Sequence, residues 1–277
     1  MSEALQPGLH IVATPIGNLS DLSPRAADTL RKADRILAED TRITGKLLAH
    51  IGARVPMTRY DDHSSDRDRK HIVGLLGEKA IALVSDAGTP LISDPGYKLV
   101  RAARDAGHAV HTVPGPSAAI AALTLAGLPT DRFLFLGFLP AKAKARSIAI
   151  AEVASVRATL VLYESGPRLG ETLAALQRGL GARDGAVARE ISKLHEECVT
   201  GTLAELATCY AKATPKGEIV VLVGPPAAAA EASDEELDNA LDEALGHLSP
   251  SRAAADVAER LHVPRKRAYA RALERSK

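Results

Sequence analysis

Aromatic side chains are nearly absent: they make up 3% of the 277 residues, and tryptophan does not occur. A sheet that stacks nucleic-acid bases on its own rings is therefore disfavoured. The cores must instead rest on the Ala, Val, Ile and Leu that dominate a 46% hydrophobic composition. Cysteine is as sparse. Cys198 and Cys209 have neither CxxC spacing nor a nearby histidine pair, which argues against a zinc centre or other metal site and against a disulfide framework. Long apolar runs are missing too, since the most apolar stretch, AAIAALTLAGL, is too short to span a bilayer. The opening residues MSEALQPG do not follow a charged head with an apolar run, so a soluble cytoplasmic protein with no membrane contact is expected. The common phosphate loops are also lacking. No GxxxxGK[ST] occurs, and the nearest approach to GxGxxG, GLGARDG at 179–185, follows a helical pattern and precedes a strand, the reverse of the dinucleotide-binding context.

Present instead is LVSDAGTPLISDPG, residues 83–96, in which an apolar run typical of a strand buried on both faces passes into a loop crowded with Ser, Asp, Gly and Pro. Glycine allows close backbone approach, proline fixes the chain, and Ser and Asp supply polar atoms. No Lys or Arg lies between Lys79 and Lys98. A polyphosphate is thereby disfavoured, and the ligand of this loop should be neutral or cationic.

Strand-like runs recur at 9–13, 36–39, 80–84, 109–113, 133–138, 159–164, 186–190 and 219–223, with helical segments between most of them. The pattern predicts α/β architecture with largely parallel pairing. Ser23-Pro24 reads as a helix cap with a first-turn proline, Ser64 and Ser65 open another helix, and further helices run from Pro95 to Gly107 and from Pro167 to Gly181. Residues 113–132, with three prolines and one Ala-rich helix, break the rhythm between four early and four late strands. The division is placed at Ser117, giving α/β domains over 1–117 and 118–225. GPPAAAAEAS at 224–233 has the composition of a linker, and beyond it residues 234–277 form a small helical domain whose break at His262-Val263-Pro264 resembles a helix-turn-helix.

Net charge is +1, but its distribution is uneven: residues 231–251 hold seven acids, among them Glu231, and no Lys or Arg, whereas residues 252–277 hold eight bases and three acids. Such polarity fits either an appended module with a polyanion-facing end or a helix pair that balances its own charge.

Four further loops close predicted strands: TPIGNLSDLS (14–23), EDTRITGKLL (39–48), VPGPSA (113–118) and YESGPR (163–168). Each alone could be a tight turn. Beyond the carboxyl ends of parallel strands they would converge with the 85–96 loop on one cleft.

In this order and spacing, TPIGNLSDLSPRA, AEDTRITGKLL, SDAGTPLISDPG, VPGPSA, FLGFLPAKAKAR, LYESGPR, AREISKLHEE and KGEIVVLVG resemble the small-subunit (16S) ribosomal-RNA cytidine 2′-O-methyltransferases, a branch of the tetrapyrrole-methylase-like superfamily. The resemblance covers residues 9–225 strongly and the helical tail more loosely. It implies two α/β domains, a homodimer, and S-adenosylmethionine bound in the cleft. It further implies that Asp86, Ala87 and Gly88 meet the cofactor with backbone atoms and that the turn containing Ser117 and Ala118 forms a wall, to which Pro15, Tyr163 and Glu164 are added. A donor with one net positive charge suits a lysine-free loop edged by Asp86.

On the acceptor side, Glu190 is expected as proton acceptor or orienter and Lys193 as phosphate or hydroxyl partner, while His195 reads as a surface residue. The partner implied is small-subunit rRNA, naked or in the assembled subunit. Lys142, Lys144 and Arg146 form a basic run for it, and Arg42, held by Asp40 with Lys46 nearby, could take a phosphate. A small-molecule tetrapyrrole methyltransferase and a non-catalytic RNA-binding factor are the alternatives. The basic run and charged tail favour RNA over the first, and the intact SDAGTP and VPGPSA speak against the second.

Overall fold

A computed structural model describes residues 4–61, 64–212, 214–227, 232–261 and 263–276. Glu231, His262 and residues 228–230 of the expected linker lie outside these, as do the first three residues of the N-terminal stretch. The chain divides into two compact units, residues 1–225 and 226–277.

The first unit begins with β1 (Gly8–Val12), α1 (Pro24–Lys32), β2 (Arg35–Ala38), α2 (Thr41–His50), β3 (Met57–Arg59), α3 (Asp66–Leu75), β4 (Ala80–Val84), α4 (Tyr97–Asp105) and β5 (Val110–Val113). These strands make a sheet of order β3-β2-β4-β1-β5, and every pair in it is parallel. β1 and β4 sit inside the sheet and are buried along their whole length, which explains their unbroken apolar sequence. Ser23 caps α1 by accepting from the Ala26 N–H, with Pro24 in the first turn, and Ser65 caps α3 in a reciprocal box with Asp68. β3 escaped the sequence reading because its three residues are half-exposed and carry no apolar run.

The unit continues with α5 (Ala118–Leu125), β6 (Phe133–Phe138), α6 (Ala143–Glu152), β7 (Thr159–Ser165), α7 (Gly166–Leu180), β8 (Asp184–Arg189), β9 (Glu197–Thr202), α8 (Leu203–Cys209) and β10 (Glu218–Val223). Its sheet has the order β6-β7-β10-β8-β9. Only β6 and β7 pair parallel; β10 runs antiparallel to β7 and β8, and β9 antiparallel to β8. The expected parallel pairing therefore fails here, because β9, whose ECVTGT sequence lacks apolar alternation, returns directly beside β8. One core cluster of this half joins α5, β7, β8 and β10 and includes Ile16, which arrives from the loop after β1. The two sheets of the unit thus share buried contact at that residue.

The second unit holds α9 (Asp234–Leu245), α10 (Pro250–Arg260) and α11 (Arg265–Arg275), packed through Leu237, Leu241, Val257, Ala268 and Ala272. Asp234, Asp238 and Asp242 recur every fourth residue along α9. They pair with Arg267, Arg271 and Arg275 at the same interval along α11. These arginines hold each carboxyl below its ordinary value. The uneven charge of the tail is thus largely balanced inside it, which favours the second of the two readings of that polarity, a helix pair that balances its own charge.

Leu162 lies on β7 with no exposure, in the core against α7. Leu162→Ala should lower unfolding free energy by about 2–5 kcal/mol, read as a shifted midpoint in urea denaturation with little change in slope.

Candidate active site

Three parallel strands of the first sheet, β1, β2 and β4, deliver their loops to one end, and the 85–96 loop is fixed there by main-chain bonding. The Thr14 N–H donates to the Gly88 carbonyl at 2.8 Å and the Gly88 N–H donates back at 3.1 Å. Gly88 has φ +81° and a side chain there would meet Ile16 Cγ2 at 3.3 Å, so the position favours glycine twice over. Further along, Leu91 (φ +75°) and Ser93 (φ +64°) hold left-handed conformations that non-glycine residues rarely adopt. The Asp40 N–H donates to Asp86 Oδ1 at 2.9 Å, tying the loop after β2 to the loop after β4.

A cavity of about 390 Å³ opens against these loops, within the range of small-molecule sites. From residues 1–117 it is lined by Ile16, Glu39, residues 86–89 and 92–94 and Ser117, and from residues 118–225 by Ala118, Phe138, residues 163–165 and residues 217–220. Of the residues expected to bind the cofactor, Asp86, Ala87, Gly88, Ser117, Ala118, Tyr163 and Glu164 line it. Pro15 does not; its neighbour Ile16 faces the cavity instead. Gly88 presents little but its bare Cα, since its amide and carbonyl are already bound to Thr14.

Among the described residues no Lys or Arg lines the cavity, and five carboxylates do: Glu39, Asp86, Asp94, Glu164 and Glu218. Glu164 is committed to the fold: buried, it accepts from the Ser165 N–H (2.8 Å) and the Thr172 hydroxyl (2.6 Å) and pairs with Arg168 (3.4 Å). Burial raises Asp86, opposed by the Asp40 N–H. Burial pushes Asp94 up to about 6, opposed by a hydrogen bond with Ser85 and reinforced by Glu39, Asp86 and Glu218. The sequence reading missed Glu39, Asp94 and Glu218, although all three fall inside blocks quoted from it. The signal was the count of acids in those blocks set against the lack of bases. Tyr163 stands edge-on to Phe138 (5.6 Å), which also lines the cavity, and to Phe135 (5.0 Å), which packs against the core.

Glu190 and Lys193 lie outside the lining. Lys193 Nζ donates to Glu190 Oε1 at 3.0 Å and stands 3.9 Å from Glu218 Oε2, so the pair lies behind the lining residues Gly217 and Glu218. Two glycines make the room: a Cβ on Gly17 would lie 2.4 Å from Lys193 Cε, and one on Gly217 2.0 Å from Glu190 Oε1. His195 sits in the same exposed loop.

The basic candidates separate. Arg42 grips Asp40 through Nε (3.0 and 3.1 Å) and Nη2 (2.5 Å) while its side chain stays 87% exposed, and Lys46 follows one turn later, also exposed. Arg42 in turn holds the Asp40 carboxyl far below its usual range. Lys142 and Lys144 are exposed, but Arg146 is buried and pairs with Glu171 at 3.0 Å. Its inclusion in an RNA-facing run is therefore corrected. One turn before buried Ile150, Arg146 lies on the inner face of α6.

A family model described as tetrapyrrole (corrin/porphyrin) methylases matches residues 8–207, and one described as the RsmI C-terminal HTH domain matches residues 231–276. A protein of Erythrobacter litoralis named ribosomal RNA small subunit methyltransferase I is 56% identical, over 99% of this chain and 97% of its own length. The chain belongs to the ribosomal RNA small subunit methyltransferase I family, within the tetrapyrrole methylases. Relatives of the same name from Mesorhizobium japonicum (46% identical, 98% of this chain, 92% of theirs) and Vibrio cholerae (45%, 95%, 92%) span it almost completely. Among solved structures, diphthine synthase superposes with TM-score 0.62 at 15% identity, covering 78% of this chain and 89% of its own. Uroporphyrin-III C-methyltransferase from Thermus thermophilus, complexed with S-adenyl homocysteine, superposes with TM-score 0.54 at 20% identity, covering 78% and 97%. Those two likenesses are of the tetrapyrrole methylase fold. No helix among the described residues is long and apolar enough to cross a membrane.

An acid raised by folding binds more protons folded than unfolded, so between 3.8 and about 6 Asp94 makes stability fall as pH rises. Asp94→Asn should therefore raise the melting temperature by about 1–2 °C above pH 6, after discounting for residual solvent contact. The gain should vanish near pH 4; a gain that persists there would show that charge is not its cause.

Proposed function

We propose that the protein transfers the methyl group of S-adenosylmethionine to the ribose 2′-hydroxyl of a cytidine in small-subunit (16S) rRNA. The observation that carries this reading is a cavity edged by carboxylates and, among the described residues, free of Lys and Arg, in a chain whose near full-length relatives are named for methylation of small-subunit ribosomal RNA. The bound donor supplies an electrophilic methyl on a sulfonium, with one net positive charge. Glu39, Asp86, Asp94 and Glu218 fit that charge, since opposite charges attract strongly where water is partly excluded. Phe138, Tyr163, Ile219 and Val220 offer an apolar wall for its adenine. Residues 1–117 and 118–225 act as the two domains that close on it.

In the acceptor strand, Arg42, Lys46, Lys142 and Lys144 contact phosphates. Glu190 and Lys193 orient the ribose from the rim, acting through Glu218. Alignment of the 2′-oxygen with the methyl and sulfur supplies most of the acceleration, and a carboxylate at the rim receives the hydroxyl proton. The bond from Asp40 to Asp86 links the RNA-facing loop to the donor-facing one. The protein acts in the cytoplasm as a homodimer. The apolar edge strand β6, with Phe133 45% exposed, supplies a surface that a monomer would leave open to water.

Tritium from labelled S-adenosylmethionine should enter 16S rRNA, recovered as a 2′-O-methylated cytidine. Label in a porphyrinogen, or none, would overturn the reading. Asp86→Asn should weaken calorimetric binding of the donor at least tenfold, about 1.4 kcal/mol. Arg42→Ala should leave that affinity unchanged and lower methyl transfer to RNA; equal loss in both measurements would break the division of roles.

A further inference from the structure

The second unit, taken alone, has a charge pattern that its own fold does not use up. Along α11, Arg267, Arg271 and Arg275 face α9 and are neutralised by Asp234, Asp238 and Asp242, and Arg260 of α10 stands 3.4 Å from Glu243. Three cations remain outside this pairing. Arg252, Arg265 and Lys266 are exposed and make no ion pair among the described residues. Two of them, with Ser251 and Tyr269, line one shallow pocket on the face of α11 away from α9.

The lining consists of an arginine fork, an ammonium and two hydroxyls, with no carboxylate. All four groups donate hydrogen bonds, and the two cations can do nothing else. Acidic residues outnumber basic ones over 232–276, so the unit does not attract anions in bulk and the positive field is confined to this spot. Pocket and seam are independent, because Arg265, Lys266 and Tyr269 project at other angles around α11 than Arg267, Arg271 and Arg275. Tyr269, 43% exposed, is one of few aromatic rings in the chain and borders the two cations. A phosphate with a nucleoside attached matches this combination, since the cations and hydroxyls engage the phosphate and the ring packs on the base or sugar.

We propose that Ser251, Arg265, Lys266 and Tyr269 form a docking point for the RNA backbone on the C-terminal unit, holding one or two phosphates of the small-subunit rRNA. The inference rests on the rRNA reading above for the identity of the strand. It assigns to the helical unit a task separate from methyl transfer: retaining the substrate without contacting the reacting atoms.

The test is equilibrium binding of the full chain to 16S rRNA over a salt series. Arg265→Ala/Lys266→Ala should weaken binding about tenfold at physiological salt and make the log–log salt dependence shallower by about 1. Lys266→Glu should weaken it further. Affinity for S-adenosylmethionine and the melting curve should stay as in the unaltered chain, which separates lost contact from lost folding. Arg271→Ala, which removes a charge already neutralised by Asp238, should leave the salt slope unchanged although it loosens the unit. An unchanged slope in the double variant, or an equal change in Arg271→Ala, overturns the proposal. Loss of binding to the assembled subunit with naked rRNA unaffected would assign the pocket to a ribosomal protein and overturn it too. Failure of the unaltered chain to bind rRNA at all would remove the rRNA reading together with this one.

Discussion

The two-way main-chain pairing of Thr14 with Gly88 is the constraint on which the site depends. It joins the loop after β1 to the loop after β4 by two hydrogen bonds that no side chain mediates, and it requires Gly88 at positive φ. With that joint made, Ile16 is carried into the core of the second sheet and Asp86 comes within reach of the Asp40 amide. Loss of the joint would release both, and with them the shared wall of the cavity. The left-handed Leu91 and Ser93 are intelligible in that setting, because a segment tied at Gly88 and again at the start of α4 must turn within few residues.

The cavity is electrostatically costly to the empty protein. Partial burial raises the Asp94 carboxyl, and Glu39, Asp86 and Glu218 raise it further. Two donors and Arg168 surround Glu164. Among the described residues no Lys or Arg lines the wall, and Lys193, 3.9 Å from Glu218 Oε2, is also bound to Glu190. A fold that keeps such a cluster gains most from a ligand of positive charge, and the same repulsion discriminates against anionic nucleotides.

Much of this was legible in the sequence where a residue type has a single physical use. Buried strands, helix caps and the glycine-proline loops were readable because each rests on local stereochemistry. The lack of Lys and Arg across 80–97 gave the sign of the cavity's charge. What escaped depended on partners distant in the chain. Antiparallel β9 and β10 have no local signature of direction, and β3 is too short to show a period. Arg146 looked like the two lysines before it until packing turned it toward Glu171. Glu190 and Lys193 were expected in the cleft, but the chain folds them against Gly17 and Gly217, a contact visible only once those loops are brought together.

The helical unit shows why charge counts mislead when read along the chain. A run of acids followed by a run of bases suggests two surfaces of opposite sign, yet a four-residue interval in both lets α9 and α11 turn these stripes toward each other. Interhelical pairing of this kind selects by register: α11 displaced by one residue would present Lys266, Ala270 and Glu274 to the α9 carboxylates in place of three arginines. The register that satisfies the seam also fixes which cations are left over, and it is those few, rather than the total, that can act on a partner.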